Sequence, residues 1–272
     1  MLTFPALNPI ALQLGPLVIR WYSLAYMGGI LLGWWIIARE HAKRPLANLT
    51  KAAFDDMVVW AVVGIILGGR LGYVLFYKPD FYLTHPAQIL HVWEGGMSFH
   101  GGFAGFVLAF WLFCRKHRIR FLSLMDLMAC VAPIGIGLGR LANFVNGELW
   151  GRVTDAPWGM VFPTGGELPR HPSQLYEATL EGLVLFIVMM ALLKTTHLRS
   201  RTGYLSGLFC IGYAIARIAC EFFREPDAFL GFLVAGATMG QLLSLPILAI
   251  GIYLIFSSPW KGEDQGGGQT SG

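Results

Sequence analysis

The chain has 272 residues, of which 55% are hydrophobic and only 13% are charged, and its formal net charge is +4. Because that charged share is about half of what soluble domains carry, the composition excludes an ordinary soluble protein and predicts an all-α integral membrane protein. The small positive charge gives no support to nucleic acid as a partner.

Seven segments of the chain resemble helices that cross a bilayer, which takes about 20 mostly apolar residues. They cover residues 21–38, 57–77, 96–114, 122–140, 174–193, 203–220 and 237–256. No basic leader precedes the first segment, which runs on to spanning length, so we expect it to stay in the protein. The Gly-rich residues 261–272 are predicted to form a disordered tail.

Lysine and arginine are concentrated in alternate connections between these segments. The basic connections carry Arg39, Lys43, Arg44, Lys51, Arg115, Lys116, Arg118, Arg120, Lys194, Arg199, Arg201 and Lys261. Since basic residues favour the cytoplasmic side, the pattern predicts an outside N-terminus and a cytoplasmic C-terminus.

Two polar features lie at the predicted outer ends of the first and third segments. In RWYSLAYMGG, Tyr26 lies one turn deeper than the interfacial Trp21 and Tyr22, where its hydroxyl needs a partner. In EGGMSFHGG, glycine pairs bracket His100, which allows the backbone to bend or to approach a ligand closely. A single histidine is also commonly structural, so both interpretations stay open.

The fourth segment ends in the stretch GRLANFVNGELWGR, whose polar residues follow a run that is apolar all round. Arg140 and Asn143 share a helix face at i,i+3. Gly147 permits a turn that returns Glu148 toward them. Arg140 either binds an anionic group or simply extends toward the lipid headgroups.

The fifth segment begins at RHPSQLYEATLEG, where Pro172 near the helix start leaves free amide groups that favour an anion. Glu177 and Glu181 follow at i,i+4. Ser173, like Ser98 before the third segment, is expected to be a helix cap and not a nucleophile.

The sixth segment carries a polar stripe in YAIARIACEFFR. Helical offsets of roughly 0°, 40°, 80° and 20° put four side chains on one face: Tyr213, Arg217, Glu221 and Arg224. Two arginines against one glutamate leave positive charge over, which favours an anionic ligand. The alternative is a purely structural ion pair between Arg217 and Glu221.

Other features fit a plain helical scaffold. Gly135 and Gly139 have the spacing of closely packed membrane helices. The cysteines lie in apolar stretches without a CxxC pair and are expected to be small buried hydrophobes: Cys114, Cys130, Cys210 and Cys220. No metal site is suggested, and the HExxH, GxSxG and Walker A motifs do not occur.

Physical chemistry alone therefore predicts a basic, lipid-accessible pocket near the outer leaflet, which binds an anionic lipid or its headgroup. A lipid-modifying enzyme, a phospholipid flippase or scramblase, and a lipid-dependent receptor or assembly factor would all use such a pocket. A flippase would need polar residues that continue toward the cytoplasmic side, whereas here they concentrate at one leaflet.

Six motifs carry a resemblance to a known family over about residues 5 to 256. In chain order they are RWYSLAYMGG, GGRLGYVLFY, WEGGMSFHGG, GRLANFVNGELWGR, RHPSQLYEA and EFFREPD. Together they strongly resemble the bacterial phosphatidylglycerol:prolipoprotein diacylglyceryl transferases. The resemblance implies one transmembrane catalytic domain, residues 1–260, in the cell inner membrane. It also implies a small periplasmic head at about residues 141–173, a periplasmic N-terminus and a cytoplasmic tail.

The resemblance implies a reaction as well. The diacylglyceryl group of phosphatidylglycerol moves onto the lipobox cysteine thiol of a preprolipoprotein signal peptide, which forms a thioether and releases glycerol phosphate. The positions that match the family's functional residues are Tyr26, His100, Arg140, Asn143, Glu148, Gly151, Tyr213, Arg217 and Glu221.

These residue types fit that chemistry. A thiol with a pKa of about 8.5 needs a base, and His100 is the candidate, with Tyr26 as the alternative. Arg140 and Arg217 are expected to hold the phosphate while its charge grows. The side chains expected to orient those arginines are Asn143, Asn146 and Glu148. We expect no metal, nucleotide or other cofactor, since the headgroup is already a competent leaving group.

Overall fold

The structure is a computed structural model of the chain. It describes residues 2–5, 7–15, 17–195, 198, 200–226, 231–233 and 236–258. The predicted cytoplasmic tail, residues 261–272, lies outside the described residues, as do Arg199 and Lys261 of the charge pattern.

Long helices coincide with all seven predicted spans. The helices of the described residues are α1 (Trp21–Lys43), α2 (Lys51–Phe76), α3 (Pro79–Thr84), α4 (Phe99–His117), α5 (Phe121–Val145), α6 (Ser173–Lys194), α7 (Tyr204–Glu221) and α8 (Met239–Ser257). The prediction of an all-α integral membrane protein is confirmed. The short α3 and two 3₁₀ turns, Pro86–Leu90 and Val92–Glu94, are not predicted by the sequence pattern.

Helix α4 differs from the other long helices in composition. In the described part of the chain, six helices are long and apolar enough to cross a membrane, and α4 is not one of them. Its first turns contain His100 and three glycines, and its last turn contains three basic residues, Arg115, Lys116 and His117. The protein is therefore a multi-pass membrane protein whose third predicted span is less apolar than a typical membrane helix.

Short strands tie the N-terminus to the connection between α5 and α6. The strands are β1 (Leu2–Thr3), β2 (Ile10–Leu14), β3 (Leu17–Arg20) and β4 (Met160–Val161). The β2 and β3 strands form an antiparallel hairpin, and α1 begins directly after β3. The β1 strand pairs in parallel with β4, which belongs to the predicted head region. Because α5 continues to Val145, the irregular part of that region begins several residues later than predicted.

The chain divides into two compact units. One contains the residues up to 37 together with those from 125 onward, and the other contains residues 38–124. The expectation of a single catalytic domain stays a prediction.

In the unit of residues 38–124, α2 and α4 cross through glycines. A Cβ atom on Gly68 would lie 2.3 Å from the carbonyl oxygen of Gly101, so neither position has room for a side chain. Close backbone approach between small residues is typical of membrane helix pairs. This helix crossing therefore explains the glycine at position 101, directly after His100.

A buried arginine organises the connection before α4 in the same unit. Arg70 of α2 donates from Nη2 to the Gln88 carbonyl at 2.6 Å, from Nε to the Ile89 carbonyl at 2.8 Å and from Nη1 to the Gly95 carbonyl at 2.6 Å. Charge-assisted bonds to several carbonyls stabilise an irregular backbone that has no helical partners. The sequence pattern did not single out this residue.

In the other unit, α5 and α6 cross where α6 changes its winding. The first turn of α6, Ser173–Glu177, is α-helical, Ala178–Val184 is a π-helix, and Leu185–Lys194 is α-helical again. A Cβ atom on Gly182 would lie 2.6 Å from the Cα atom of Gly137. Gly135 takes part in another close helix contact, as its spacing indicates, because a Cβ atom on Gly29 of α1 would lie 3.0 Å from the Gly135 Cα atom. No such contact is seen at Gly139, where an added Cβ atom would have nothing within 4 Å.

The helix starts partly follow the capping predictions. Ser98 caps α4, since its hydroxyl accepts a hydrogen bond from the Gly101 amide at 3.2 Å. Ser173 is not a cap: Pro172 occupies that position, and the Ser173 hydroxyl donates to the Leu149 carbonyl at 3.1 Å. The buried Ser173 therefore holds the head connection against the start of α6.

Candidate active site

Six charged side chains meet where α5 and α7 end and α6 begins. They are Arg140 of α5, Glu177 and Glu181 of α6, Arg217 and Glu221 of α7, and Arg224 just after α7. The side chains of Glu177 and Glu181 are fully buried, and that of Arg217 is 11% exposed. Charged groups at this depth are costly unless they are paired, and here every one has an opposite charge within 4 Å.

Glu177 lies at the centre of this charged cluster. Its Oε1 atom is 2.5 Å from Arg217 Nη1 and 3.3 Å from Arg224 Nη1, and its Oε2 atom is 3.1 Å from Arg140 Nε. The contact with Arg140 is a charge contact that lacks hydrogen-bond alignment. One carboxylate thus contacts three guanidiniums, which draws the ends of three helical segments together.

Glu181 contacts Arg140 and Arg217 as well, at longer distances than the shortest contact of Glu177. Arg140 donates to Glu181 Oε2 from Nε at 3.4 Å and from Nη2 at 3.3 Å, and Arg217 Nη1 is 3.5 Å from Oε1. The two carboxylates are one helical turn apart, and both guanidiniums span them. Arg140 and Arg217 therefore converge on a shared pair of acceptors although they come from different helices.

The charge balance of the cluster corrects one prediction. The polar stripe of α7 alone has two arginines against one glutamate, which predicted a surplus of positive charge. With Glu177 and Glu181 included, three arginines face three glutamates, so the ionised cluster is formally neutral. The surplus argument is wrong, because the balancing carboxylates come from another helix.

The polar stripe itself is largely as predicted. Arg217 Nη2 contacts Glu221 Oε1, and Thr238 donates to Glu221 Oε2 at 2.6 Å, so that carboxylate is fixed from two sides. Arg224 lies past the end of α7, yet its Nε atom is still 3.9 Å from Glu221 Oε1. Tyr213 lies one turn before Arg217, close enough to interact with it electrostatically.

A second polar group forms at the turn after α5. Glu148 Oε1 accepts hydrogen bonds from Asn143 Nδ2 at 2.9 Å and from Asn146 Nδ2 at 3.1 Å. Gly147 makes the turn with φ +65°, as the sequence predicts. The Asn143 amide also reaches the Tyr22 hydroxyl at 3.4 Å, so Tyr22 has a partner beyond its interfacial role.

This second group corrects another prediction. Asn143, Asn146 and Glu148 were expected to orient the two arginines, but they bond to one another. The partners that hold Arg140 and Arg217 are the α6 carboxylates, whose opposite charge gives stronger bonds than neutral amides would.

Tyr26 lies near the charged cluster, whereas His100 belongs to the other unit. Tyr26 is 57% exposed, its ring centroid lies 5.2 Å from that of Tyr22, and it is close enough to Arg140 for an electrostatic interaction. His100 is exposed in the first turn of α4, in the unit of residues 38–124. The four cysteines lie in helices; the prediction that they are buried is confirmed for three of them, whereas Cys210 is half-buried.

Close packing in the predicted head region explains why a glycine occupies position 151. A Cβ atom there would lie 2.5 Å from the Phe223 carbonyl oxygen and 2.6 Å from the His171 Cβ atom. Three backbone segments therefore pass one another at Gly151, next to the end of α7. Burial lowers the pKa of the nearby His171, and Asp155 acts in the opposite direction.

Glu177 and Glu181 are noted in the sequence analysis at i,i+4, but no role is predicted for them there. Two carboxylates at i,i+4 in an apolar span satisfy the same rule that singled out Arg217, namely that an ionisable residue at membrane depth is functional by default. Applied evenly, that rule predicts them as partners of the arginines.

The fold and this site define a class: a multi-pass membrane protein with a buried, charge-paired cluster of arginines and glutamates at one end of its helices. The family model of prolipoprotein diacylglyceryl transferase matches residues 9–257. The chain therefore belongs to the prolipoprotein diacylglyceryl transferase family, as its motifs indicated.

Two relatives illustrate how far the similarity extends. The chain is 52% identical to the phosphatidylglycerol–prolipoprotein diacylglyceryl transferase of Allorhizobium ampelinum, over 97% of this chain and 94% of the relative. It is 56% identical to the protein of the same name from Paramagnetospirillum magneticum, over 93% of this chain and 94% of the relative.

Proposed function

We propose that this protein transfers the diacylglyceryl group of phosphatidylglycerol to the lipobox cysteine of a prolipoprotein, which is the first step of bacterial lipoprotein maturation. Family membership supports transfer over lipid scrambling. The enzyme would act in the inner membrane with a periplasmic N-terminus, a cytoplasmic C-terminus and the charged cluster near the periplasmic leaflet. The alternating lysine and arginine content of the connections supports that orientation.

The reaction exchanges one bond for another at a glycerol carbon. The cysteine thiol loses its proton to a base, and the sulfur forms a bond to the diacylglyceryl carbon that carries the phosphate ester. The bond between that carbon and the phosphate oxygen breaks, and the oxygen leaves with the electron pair as glycerol phosphate. The phosphate charge grows from about −1 to about −2 during this step, so fixed cations near it lower the barrier.

One observation carries the proposal: Arg140 and Arg217 reach the same two buried carboxylates from different helices. Two guanidiniums that can share the oxygens of a carboxylate can also share the oxygens of one phosphate. The planar carboxylate and the tetrahedral phosphate both present negatively charged oxygens at similar spacing. The glutamates hold the arginines in place before the lipid arrives. Such preorganisation is the main source of electrostatic catalysis.

Because the ionised cluster is formally neutral, a bound phosphate must replace a carboxylate contact. The contacts of Glu181 are 3.3 to 3.5 Å long, whereas Glu177 approaches Arg217 to 2.5 Å and contacts a third arginine. We therefore assign Glu181 as the carboxylate that yields to the phosphate, and Glu177 as the one that keeps the arginines in place.

Other predicted residues receive supporting roles in this proposal. Asn143, Asn146 and Glu148 shape the turn that follows Arg140, and Gly151 lets the head pass close to the end of α7. Tyr213 and Glu221 flank Arg217 on its own helix. The base stays a prediction from the resemblance, with His100 as the candidate and Tyr26 as the alternative.

A reconstituted transfer reaction tests the proposal. Purified protein in detergent is mixed with phosphatidylglycerol and a synthetic lipobox peptide, and the peptide mass is followed. We expect a gain of one diacylglyceryl group on the cysteine, with glycerol phosphate released in equal amount. A peptide whose cysteine is replaced by serine is the matched control. The contrary result is an unchanged peptide mass together with rapid exchange of a fluorescent phospholipid between the leaflets of vesicles that contain the protein. That result would contradict the transferase function and indicate a scramblase.

A further inference from the structure

An aspartate at the opposite end of α5 binds the start of α7. Asp126 Oδ2 accepts a hydrogen bond from the Gly203 amide at 2.7 Å, and its Oδ1 accepts from the Ser206 amide and the Ser206 hydroxyl, each at 2.8 Å. Asp126 is only 7% exposed. A carboxylate in this position caps the helix and favours its positive dipole end, so α7 begins at a fixed point on α5.

The two helices then run equal distances to the charged cluster. Fourteen positions separate Asp126 from Arg140 along α5, and fourteen separate Gly203 from Arg217 along α7. At the helical rise, each interval is about 21 Å. Because both intervals start at the Asp126 carboxylate and are of the same length, the two arginines arrive at the same level.

The other end of the helix pair agrees with this arrangement. Arg140 Nε and Arg217 Nη1 contact the two oxygens of the single Glu177 carboxylate at 3.1 and 2.5 Å. A slip of α7 by one residue would move Arg217 by about 1.5 Å along the axis and by about 100° around it. Such a slip would break the shared contact, so the register of the helices decides whether both arginines can act together.

We infer that Asp126 is a positioning residue for the transfer reaction: it fixes the axial register of α7 on α5, and thereby holds Arg217 level with Arg140. This inference rests on the proposed function, since it assumes that both arginines act on one phosphate. Asp126 itself lies about 21 Å from Arg140 along the helix, so it is assigned no contact with the phosphate. Its carboxylate acts only through the helix that it caps.

The test combines kinetics with a distance measurement on the full chain in detergent. Asp126→Asn keeps the shape of the side chain but replaces the acceptor at Gly203 by a donor. Ser206→Ala is the matched control, because it removes one hydroxyl bond and leaves both capped amides. Thr50→Ala is the stability control, because it removes the cap of α2 in the unit of residues 38–124.

The distance is read between spin labels on Leu141 and Ile215, which are 45% and 58% exposed beside the two arginines. The labels are introduced in a background that lacks the four native cysteines. In Asp126→Asn we expect a broadened or shifted distance distribution and a kcat about 10- to 100-fold lower, with an unchanged KM for the peptide. Both controls should keep the wild-type distribution and most of the wild-type kcat.

The inference is overturned if Asp126→Asn has the wild-type distance distribution, or if its kcat falls no further than that of Thr50→Ala. An inactive wild-type protein would remove the proposed function alone. The distance measurement does not depend on transfer, so it would still decide whether Asp126 sets the register.

Discussion

Arg140 and Arg217 differ from arginines that merely extend toward lipid headgroups. Their side chains are 17% and 11% exposed, and their partners are carboxylates that are fully buried. A guanidinium that only reached for the interface would turn toward water and phosphate headgroups. The alternative for Arg217, a purely structural ion pair with Glu221, does not account for its contacts, because Arg217 contacts three glutamates.

The unequal contacts of Glu177 and Glu181 give a testable order. Glu177→Gln leaves three buried guanidiniums without their shared charge, whereas Glu181→Gln leaves the shorter contacts to Glu177 in place. Breaking a buried ion pair typically costs about 3 to 5 kcal/mol. We expect Glu177→Gln to lose nearly all transfer activity and thermal stability, and Glu181→Gln to fold and keep measurable activity. Activity and melting temperature in detergent decide this, and the reverse order would refute the roles assigned to the two carboxylates.

The role of His100 can be tested through pH. If His100 takes the thiol proton, His100→Gln must rely on thiolate that forms in solution, and this fraction grows as the pH approaches the thiol pKa of about 8.5. We therefore expect the deficit of His100→Gln, relative to wild type, to shrink from pH 6.5 to pH 8.5. Initial rates at saturating phosphatidylglycerol check this. A deficit that stays constant with pH would assign the base to another group, with Tyr26→Phe as the next variant.

At the residue scale, the sequence predicted the arginines better than their partners. Arg140, Arg217 and Glu221 could be singled out because each is a charge within an apolar run. Glu177 and Glu181 satisfy the same rule, but their pairing with Arg140 and Arg217 depends on helices that are distant in sequence, so spacing within one segment could not reveal it. The turn through Gly147 could be predicted, because a positive φ favours glycine and depends only on that residue and its neighbours in the chain.

The π-helix of α6 lies at the point where that helix meets the arginines. A π segment widens the helix and turns the following residues, and such segments are frequent at functional sites. Here it contains Glu181 and the crossing glycine Gly182, and Glu177 immediately precedes it. The crossing at Gly137 lies three residues before Arg140, so close packing there sets how near α6 comes to that arginine.

Glycine substitutions test the importance of this crossing. A Cβ atom on Gly182 would meet backbone at 2.6 Å, whereas one on Gly135 would meet nothing within 4 Å. Overpacking typically costs about 1 to 3 kcal/mol, while alanine in an open helical position gains up to about 1 kcal/mol over glycine. We expect Gly182→Ala to lower melting temperature and transfer rate, and Gly135→Ala to preserve both. Equal behaviour of the two variants would show that the crossing does not control the cluster.

Element types were more predictable than element details. Apolar runs predicted the positions of all seven long helices, although only six of those in the described residues are long and apolar enough to cross a membrane. Three details depend on contacts between helices: the π-helix, the end of α7 at Glu221, and the use of Gly137 instead of Gly139 for the contact with α6. Small-residue spacing indicates that a helix can pack closely, but it does not indicate which glycine meets which neighbour.

For the whole molecule, orientation is the property that the charge pattern predicts and that labelling can test. We place single cysteines at the exposed Lys116, in the last turn of α4, and at the exposed Glu167, in the predicted head region. The two cysteines should react with reagent from opposite sides of the membrane. The background lacks the native four cysteines, which should leave transfer largely intact because they lie within helices as packing residues. An impermeant reagent on spheroplasts should label only position 167. Labelling of both positions would overturn the proposed orientation.

The most direct test of the central claim, that Arg140 and Arg217 act jointly on the lipid phosphate, is a double-mutant cycle on kcat/KM for phosphatidylglycerol. Lysine keeps the charge but loses the planar fork, so each single Arg→Lys variant should fold and lose about 2 to 4 kcal/mol of transition-state stabilisation, or about 30- to 1,000-fold in rate. Groups that act as a unit are strongly non-additive, so the double variant should be little worse than the poorer single variant. Wild-type activity in either single variant, or fully additive losses in the double variant, would contradict the joint phosphate site.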